Sequence, residues 1–160
     1  MPLYKYLLFI AGQIGMMSLN RFLLQWIIQF ADTKDASGQV LFVATAVGGT
    51  VFGFRIFDGI TDPIAGTVSD RWVRAGRRRQ TLLLFAFAVP SVGLILTFLP
   101  NHEMAAGLRW TFLCAGLFIF FVGYTFYAIP YWSLVDDYSN GDEKRRRTLS
   151  NLLGAGIILA

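Results

Sequence analysis

Asp58 and Asp62 lie one helical turn apart inside an apolar run, Phe54-Arg55-Ile56-Phe57-Asp58-Gly59-Ile60-Thr61-Asp62-Pro63-Ile64-Ala65-Gly66. A carboxylate in bilayer hydrocarbon costs about 2.5–3.5 kcal/mol on insertion scales, so two of them call for a cationic visitor or a fixed counter-charge. Spacing of i, i+4 stacks both on one helix face, with Arg55 three residues before Asp58 on the same side. Carboxylates, the Thr61 hydroxyl and freed backbone oxygens are hard ligands that suit a small cation such as sodium, and the same carboxylates can carry a proton. Pro63 cannot donate to the Gly59 carbonyl, which leaves oxygen lone pairs open in that turn. Two readings stand: a cation site at Asp58, Thr61 and Asp62, or a static network in which Arg55 neutralises Asp58.

Two further helical stretches carry polar groups. Ser18, Arg21, Gln25 and Gln29 follow helical spacing on one stripe, with Gln13 and Asn20 on a neighbouring one. A helix so marked must face a bundle interior or an aqueous cavity, which makes Asn20 and Arg21 candidates for a solute path. Arg21 needs a counter-charge or an anionic ligand, or it pairs with Asp58 to tie two helices together. In the second stretch Tyr124, Tyr127 and Tyr131 recur at 3–4 residue spacing, with Trp132 beside them. Tyr131 and Trp132 fit an interfacial aromatic belt, whereas Tyr124 and Thr125 lie deeper and fit a cavity wall.

The elements that must position these groups are membrane spans. The chain is 55% hydrophobic and only 15% charged, with a mean hydropathy of +0.53; soluble domains carry about 25% charge. Spans are expected at about 3–30, 39–66, 80–99 with a bend near Pro90, and 108–135 with Pro130 inside it; a fifth, over 148–160, is too short to cross. Thr45, Gly49 and Gly53 form a small-residue seam on the second span, and Gly116 and Gly123 share a face of the fourth. Ten of the fourteen Lys and Arg residues fall in three places: Lys5; Arg71, Arg74, Arg77, Arg78 and Arg79; and Lys144 to Arg147. Only Lys34 and Arg109 flank the alternate connections, which is the positive-inside pattern and sets the N-terminus in the cytoplasm. The basic balance therefore orients the chain in a lipid bilayer and gives no reason to expect nucleic acid. Cys114 is the sole cysteine and His102 the sole histidine, so neither a disulfide nor a zinc or nucleophile–base pattern is present, and an enzyme is not expected.

The motifs resemble those of the major facilitator superfamily, and within it the glycoside–pentoside–hexuronide:cation symporters, the melibiose-permease-like group. Asp58, Thr61, Asp62, Pro63 and Gly66 match that group's Asp-x-x-(Asn/Thr)-Asp-Pro-x-x-Gly motif. Gly66, Asp70, Arg71, Gly76, Arg77 and Arg78 match a Gly-x-x-x-Asp-Arg…Gly-Arg-Arg loop signature, and Tyr124, Thr125, Ile129, Pro130, Trp132, Ser133 and Leu134 match a fourth-helix segment. The resemblance implies an all-α, polytopic helix bundle, the N-terminal part of a twelve-helix fold with about four and a half spans present. It implies a cation site at Asp58, Thr61, Asp62 and Thr125, binding Na+ or H+, and places Trp132 near the solute path. The loop signature would act as an inner-face latch. Sugar-binding members carry an aspartate where this chain has Ala128, another near Met16 or Met17, and an arginine near Gly154; Arg21 would suit an anionic solute instead.

The expectation is a secondary active transporter in the cell (inner) membrane that couples a cation to uptake of a small organic solute, sugar-like or anionic, by alternating access. Its further partner would be the missing C-terminal half of the same transporter, and no cofactor is expected. The alternative from another class is a four-helix membrane scaffold or assembly factor that transports nothing.

Overall fold

A computed structural model describes residues 2–86 and 88–160. Six helices follow in order: α1 (Leu3–Ala31), α2 (Ala44–Arg74), α3 (Arg79–Ala86), α4 (Ala88–Thr97), α5 (Ala106–Ser139) and α6 (Glu143–Leu159). Among the described residues the only extended pairing is an isolated antiparallel bridge, Lys34 to Val40, in the turn between α1 and α2. The chain is an all-α membrane bundle. Leu3–Ala31, Arg79–Thr97 and Ala106–Ser139 are long and apolar enough to cross a membrane. α2 has 31 residues, a length of roughly 46 Å against a hydrocarbon core of about 30 Å. Its central Arg55, Asp58 and Asp62 hold its hydropathy below that of the other three.

At the basic end the helices run further than hydropathy predicts. α2 continues to Arg74, α5 to Ser139, and α6 begins at Glu143, so much of the segments 67–79 and 136–147 is helical. The stop signals simply lie later in the chain. Gly76, at φ +76, takes the left-handed conformation that turns the chain from α2 towards α3. Asn140 at φ 48 and Gly141 at φ 79 do the same after α5. The Asp142 carboxylate then accepts from the backbone N–H groups of Lys144 (3.0 Å) and Arg145 (3.2 Å), which caps α6 before its basic run. At the opposite end α2 starts only at Ala44, because residues 33–42 fold back on α1: Leu41 N–H donates to Thr33 and Phe42 N–H to Ala31.

α5 is the central helix, with Leu113, Leu117, Phe120 and Phe121 fully buried. α4 lies against it through glycines. A Cβ on Gly93 would stand 2.3 Å from the Phe120 nitrogen, and one on Gly116 would stand 2.4 Å from the Thr97 nitrogen. Pro90 lies within α4 and abuts Gly123 of α5; residue 87, which precedes α4, lies outside the described residues. The Gly116/Gly123 face is thus a backbone-to-backbone packing seam. The seam expected on the second span differs, since nothing lies within 4 Å of a Cβ added to Gly49 or Gly53. On α1 the buried side is Phe9, Gln13, Met16, Leu23, Ile27 and Ala31, and the stripe of Arg21, Gln25 and Gln29 is exposed.

Candidate functional site

α2 and α5 face each other at mid-length and bring the carboxylates against the fourth-helix motif. The Thr125 hydroxyl, fully buried on α5, donates to the Asp58 carboxylate, and Thr125 also lies within hydrogen-bonding reach of Asp62. One threonine therefore addresses both acids across the helix pair. Thr61 is buried on the same stretch of α2, but its hydroxyl donates to the backbone carbonyl of Asp58 at 3.0 Å. That bond fixes the hydroxyl proton and leaves its oxygen lone pairs outward.

Arg55 reaches Asp58 only loosely. Its Nη1 is 3.9 Å from Asp58 Oδ2, its Nη2 donates to Asn20 Oδ1 of α1 at 3.2 Å, and its guanidinium carbon lies 5.5 Å from the centre of the Phe121 ring. Asn20 is thereby drawn into the carboxylate cluster. Asp62 makes no ion pair among the described residues. Of the two carboxylates, only Asp58 has a guanidinium within 4 Å. Arg21 does not neutralise them. It is exposed, and its Nη2 donates to the Ile157 carbonyl of α6. The static Arg21–Asp58 tie is absent because Asp58 turns to Thr125 of α5 while Arg21 turns to α6.

Tyr124 is buried one residue before Thr125, within electrostatic range of Arg55, Asp58 and Asp62, and its hydroxyl donates to Met17 Sδ at 3.8 Å. Trp132 lies two turns further along α5, 38% exposed, and its indole N–H donates to Gln13 Oε1 at 3.3 Å. Ala128 is buried between them.

A second cluster lies at the basic end, and its arginine is Arg79, which the loop signature does not single out. Arg79 is 8% exposed. Its Nε donates to Asp137 Oδ2 of α5 at 2.9 Å, its Nη1 to the Ser69 hydroxyl of α2, and both Nη atoms to Asp70 Oδ1 at 3.3 and 3.4 Å. Of the signature residues only Asp70 enters this cluster. Arg71 is exposed, Arg77 stacks 4.4 Å over the Trp72 ring, and the Arg78 carbonyl accepts from the Trp72 indole at 3.2 Å. Gly66 faces α5 at ordinary contact distance, with Ile129 Cγ2 at 3.7 Å from a Cβ placed there, and Gly76 makes the turn. The one sequence signal for Arg79 was its place as the last base before an apolar run; nothing local pointed to Ser69 or Asp137.

Comparisons with curated proteins and with solved structures found no match. A family model described as MFS/sugar transport protein matches residues 9–153, a stretch that holds both carboxylates, Thr125 and the whole Arg79 cluster. On a match of this extent the chain belongs to the MFS/sugar transport protein family of the major facilitator superfamily.

Proposed function

We propose that this chain carries the coupling-ion site of a cation:solute symporter of the melibiose-permease-like group, with Asp58, Asp62, Thr61 and Thr125 around the ion. The observation that carries the reading is the shortage of positive charge. Arg55 stands 3.9 Å from Asp58, Asp62 has no ion pair among the described residues, and Thr125 donates to Asp58 across the α2–α5 contact. With the site empty, the two like charges repel within a low-dielectric bundle. A bound Na+ or H+ removes that repulsion and steadies α2 against α5, which lowers the barrier to rocking one half of the transporter against the other. The Arg79 cluster joins α2, α3 and α5 at the basic end and serves as the latch that this rocking must carry or open. The solute is a small organic molecule, sugar-like or anionic. Asn20, Arg21, Tyr124 and Trp132 line its path, and the chain sits in the cell membrane with its N-terminus in the cytoplasm. The remaining half of the transporter completes the central cavity. Membership in a transport family weighs against the scaffold reading and points to transport rather than catalysis.

The test is uptake into cells or vesicles holding the intact protein, across a panel of sugars, glycosides and organic anions, with imposed sodium or proton gradients. Gradient-driven accumulation that vanishes in Asp58→Asn and Asp62→Asn, with normal protein levels in the membrane, is the expected result. Undiminished coupled uptake in both variants overturns it.

A further inference from the structure

Gln13 is the most completely buried amide of α1, with no exposed surface, on a helix whose Arg21, Gln25 and Gln29 are exposed. Its side chain is gripped at a junction of three helices. From α6, Gly156 lies so close that a Cβ there would stand 2.6 Å from Gln13 Cγ. From α5, Tyr131 fits against Gly12, where a Cβ would stand 2.7 Å from the tyrosine oxygen, and its hydroxyl donates to the Phe9 carbonyl. Phe9 and Tyr131 stack at 5.2 Å, so α1 and α5 are held in register on this turn. Within that grip Gln13 Oε1 accepts from the indole N–H of Trp132, while Gln13 Nε2 finds no hydrogen-bond partner among the described residues.

A buried amide normally has both its ends satisfied. Here one end is left unpaired and the other is spent on Trp132. A methionine or leucine would fill the same space without the penalty of about 1–3 kcal/mol that an unsatisfied buried donor carries. The arrangement has a reason if the acceptor is what matters. Trp132 is more than a third exposed, and its indole has one hydrogen-bonding atom with which to fix its ring plane. We infer that Gln13 is a positioning residue: with its stem packed against Gly156 and its turn of α1 seated on α5 where Tyr131 meets Gly12, its Oε1 sets the orientation in which Trp132 presents its exposed ring to the solute path. This rests on the reading of Trp132 as lining that path.

The intact protein labelled with 5-fluorotryptophan gives a fluorine resonance for each tryptophan, and Trp132→Phe assigns the relevant line. Gln13→Met, which removes acceptor and orphan donor together, should shift the Trp132 line while leaving the others in place. Gln13→Glu keeps an oxygen acceptor for the indole while a carboxyl group replaces the amide, so it should hold the line nearer its wild-type position than Gln13→Met does. Gly156→Ala, which displaces Gln13 without altering it, should shift the line as Gln13→Met does. A Trp132 line unmoved in Gln13→Met, or moved equally by Gln13→Glu, overturns the inference. Failure of the path reading looks different: Trp132→Phe would then leave the concentration dependence of gradient-driven uptake unchanged, whatever the fluorine lines do.

Discussion

The α2–α5 contact holds two clusters built from the same materials, one arginine and two aspartates each, and they are put together in opposite ways. At the basic end Arg79 is buried and uses all three of its nitrogens, with contacts to Asp137 and Asp70 between 2.9 and 3.4 Å and a further bond to Ser69. At mid-length Arg55 is 36% exposed, stands 3.9 Å from one carboxylate, and divides its remaining contacts between Asn20 and the Phe121 face. The first arrangement is closed: each acid already has its cation. The second is open, because Asp62 has none and Asp58 leans on a neutral hydroxyl. Identical charge counts therefore describe a brace in one place and two acids with no close cationic side chain among the described residues in the other, and only distance and direction separate them.

That contrast can be broken experimentally. Removing an acid from the open cluster should do the most damage to function and the least to stability. Asp62→Asn is expected to lower cation-driven accumulation by about a hundredfold, equivalent to about 2.7 kcal/mol, with the detergent melting temperature unchanged or raised. The closed cluster should behave the other way. Arg79→Ala leaves Asp70 and Asp137 without their shared cation and should lower stability by about 2–3 kcal/mol in thermal unfolding, below the 3–5 of a fully buried pair because both acids are partly exposed. Thr125→Val keeps the shape and deletes the donor to Asp58. A hydrogen bond to a charged group is worth about 1.5 kcal/mol, so cation affinity should fall about tenfold, and Thr125→Ser should restore it.

Two smaller effects sharpen the comparison. Arg55→Gln removes a long, half-exposed ion pair and should cost less than about 1 kcal/mol of stability; a loss as large as that of Arg79→Ala would show both clusters to be braces. Asp35, in the turn beyond α1, is a reference carboxylate in water. The Ser37 hydroxyl above all, then the Gln39 N–H, holds its carboxyl below the usual carboxylate range. A lowered folded pKa stabilises the turn above the ordinary value and loses that contribution as pH falls through the lowered one. The protection of the Ser37 and Gln39 amides against exchange, relative to their intrinsic rates, should accordingly fall only in strong acid, and Asp35→Ala should abolish that pH dependence of protection.

Much of the open cluster was legible in advance. Asp58, Thr61 and Asp62 belong to one helix, and a 3.6-residue repeat places them on one face whatever surrounds them. Thr125 entered through its motif, and the structure seats it opposite both acids. Asn20 was read as part of the solute path, yet it also bonds Arg55. The closed cluster was scarcely legible. Arg71, Arg77, Arg78 and Arg79 are neighbours in a basic run, and which one turns inward depends on the Gly76 turn and on Asp137, 58 residues away. Gln13 read as one polar residue among several, and its burial comes from Gly156 on the far side of the chain.

What the sequence determined by itself was the class of molecule and the placing of two acids in a membrane helix, because hydropathy and helical periodicity are local properties that survive any packing. The tertiary structure decided which charges find partners. Whether an arginine locks a carboxylate or leaves it free turns on the partners that neighbouring helices bring to it: Asn20 of α1 and Phe121 of α5 for Arg55, Ser69 and Asp70 of α2 and Asp137 of α5 for Arg79. No local pattern carries such a placement, since it is the joint product of side chains from helices far apart in the chain.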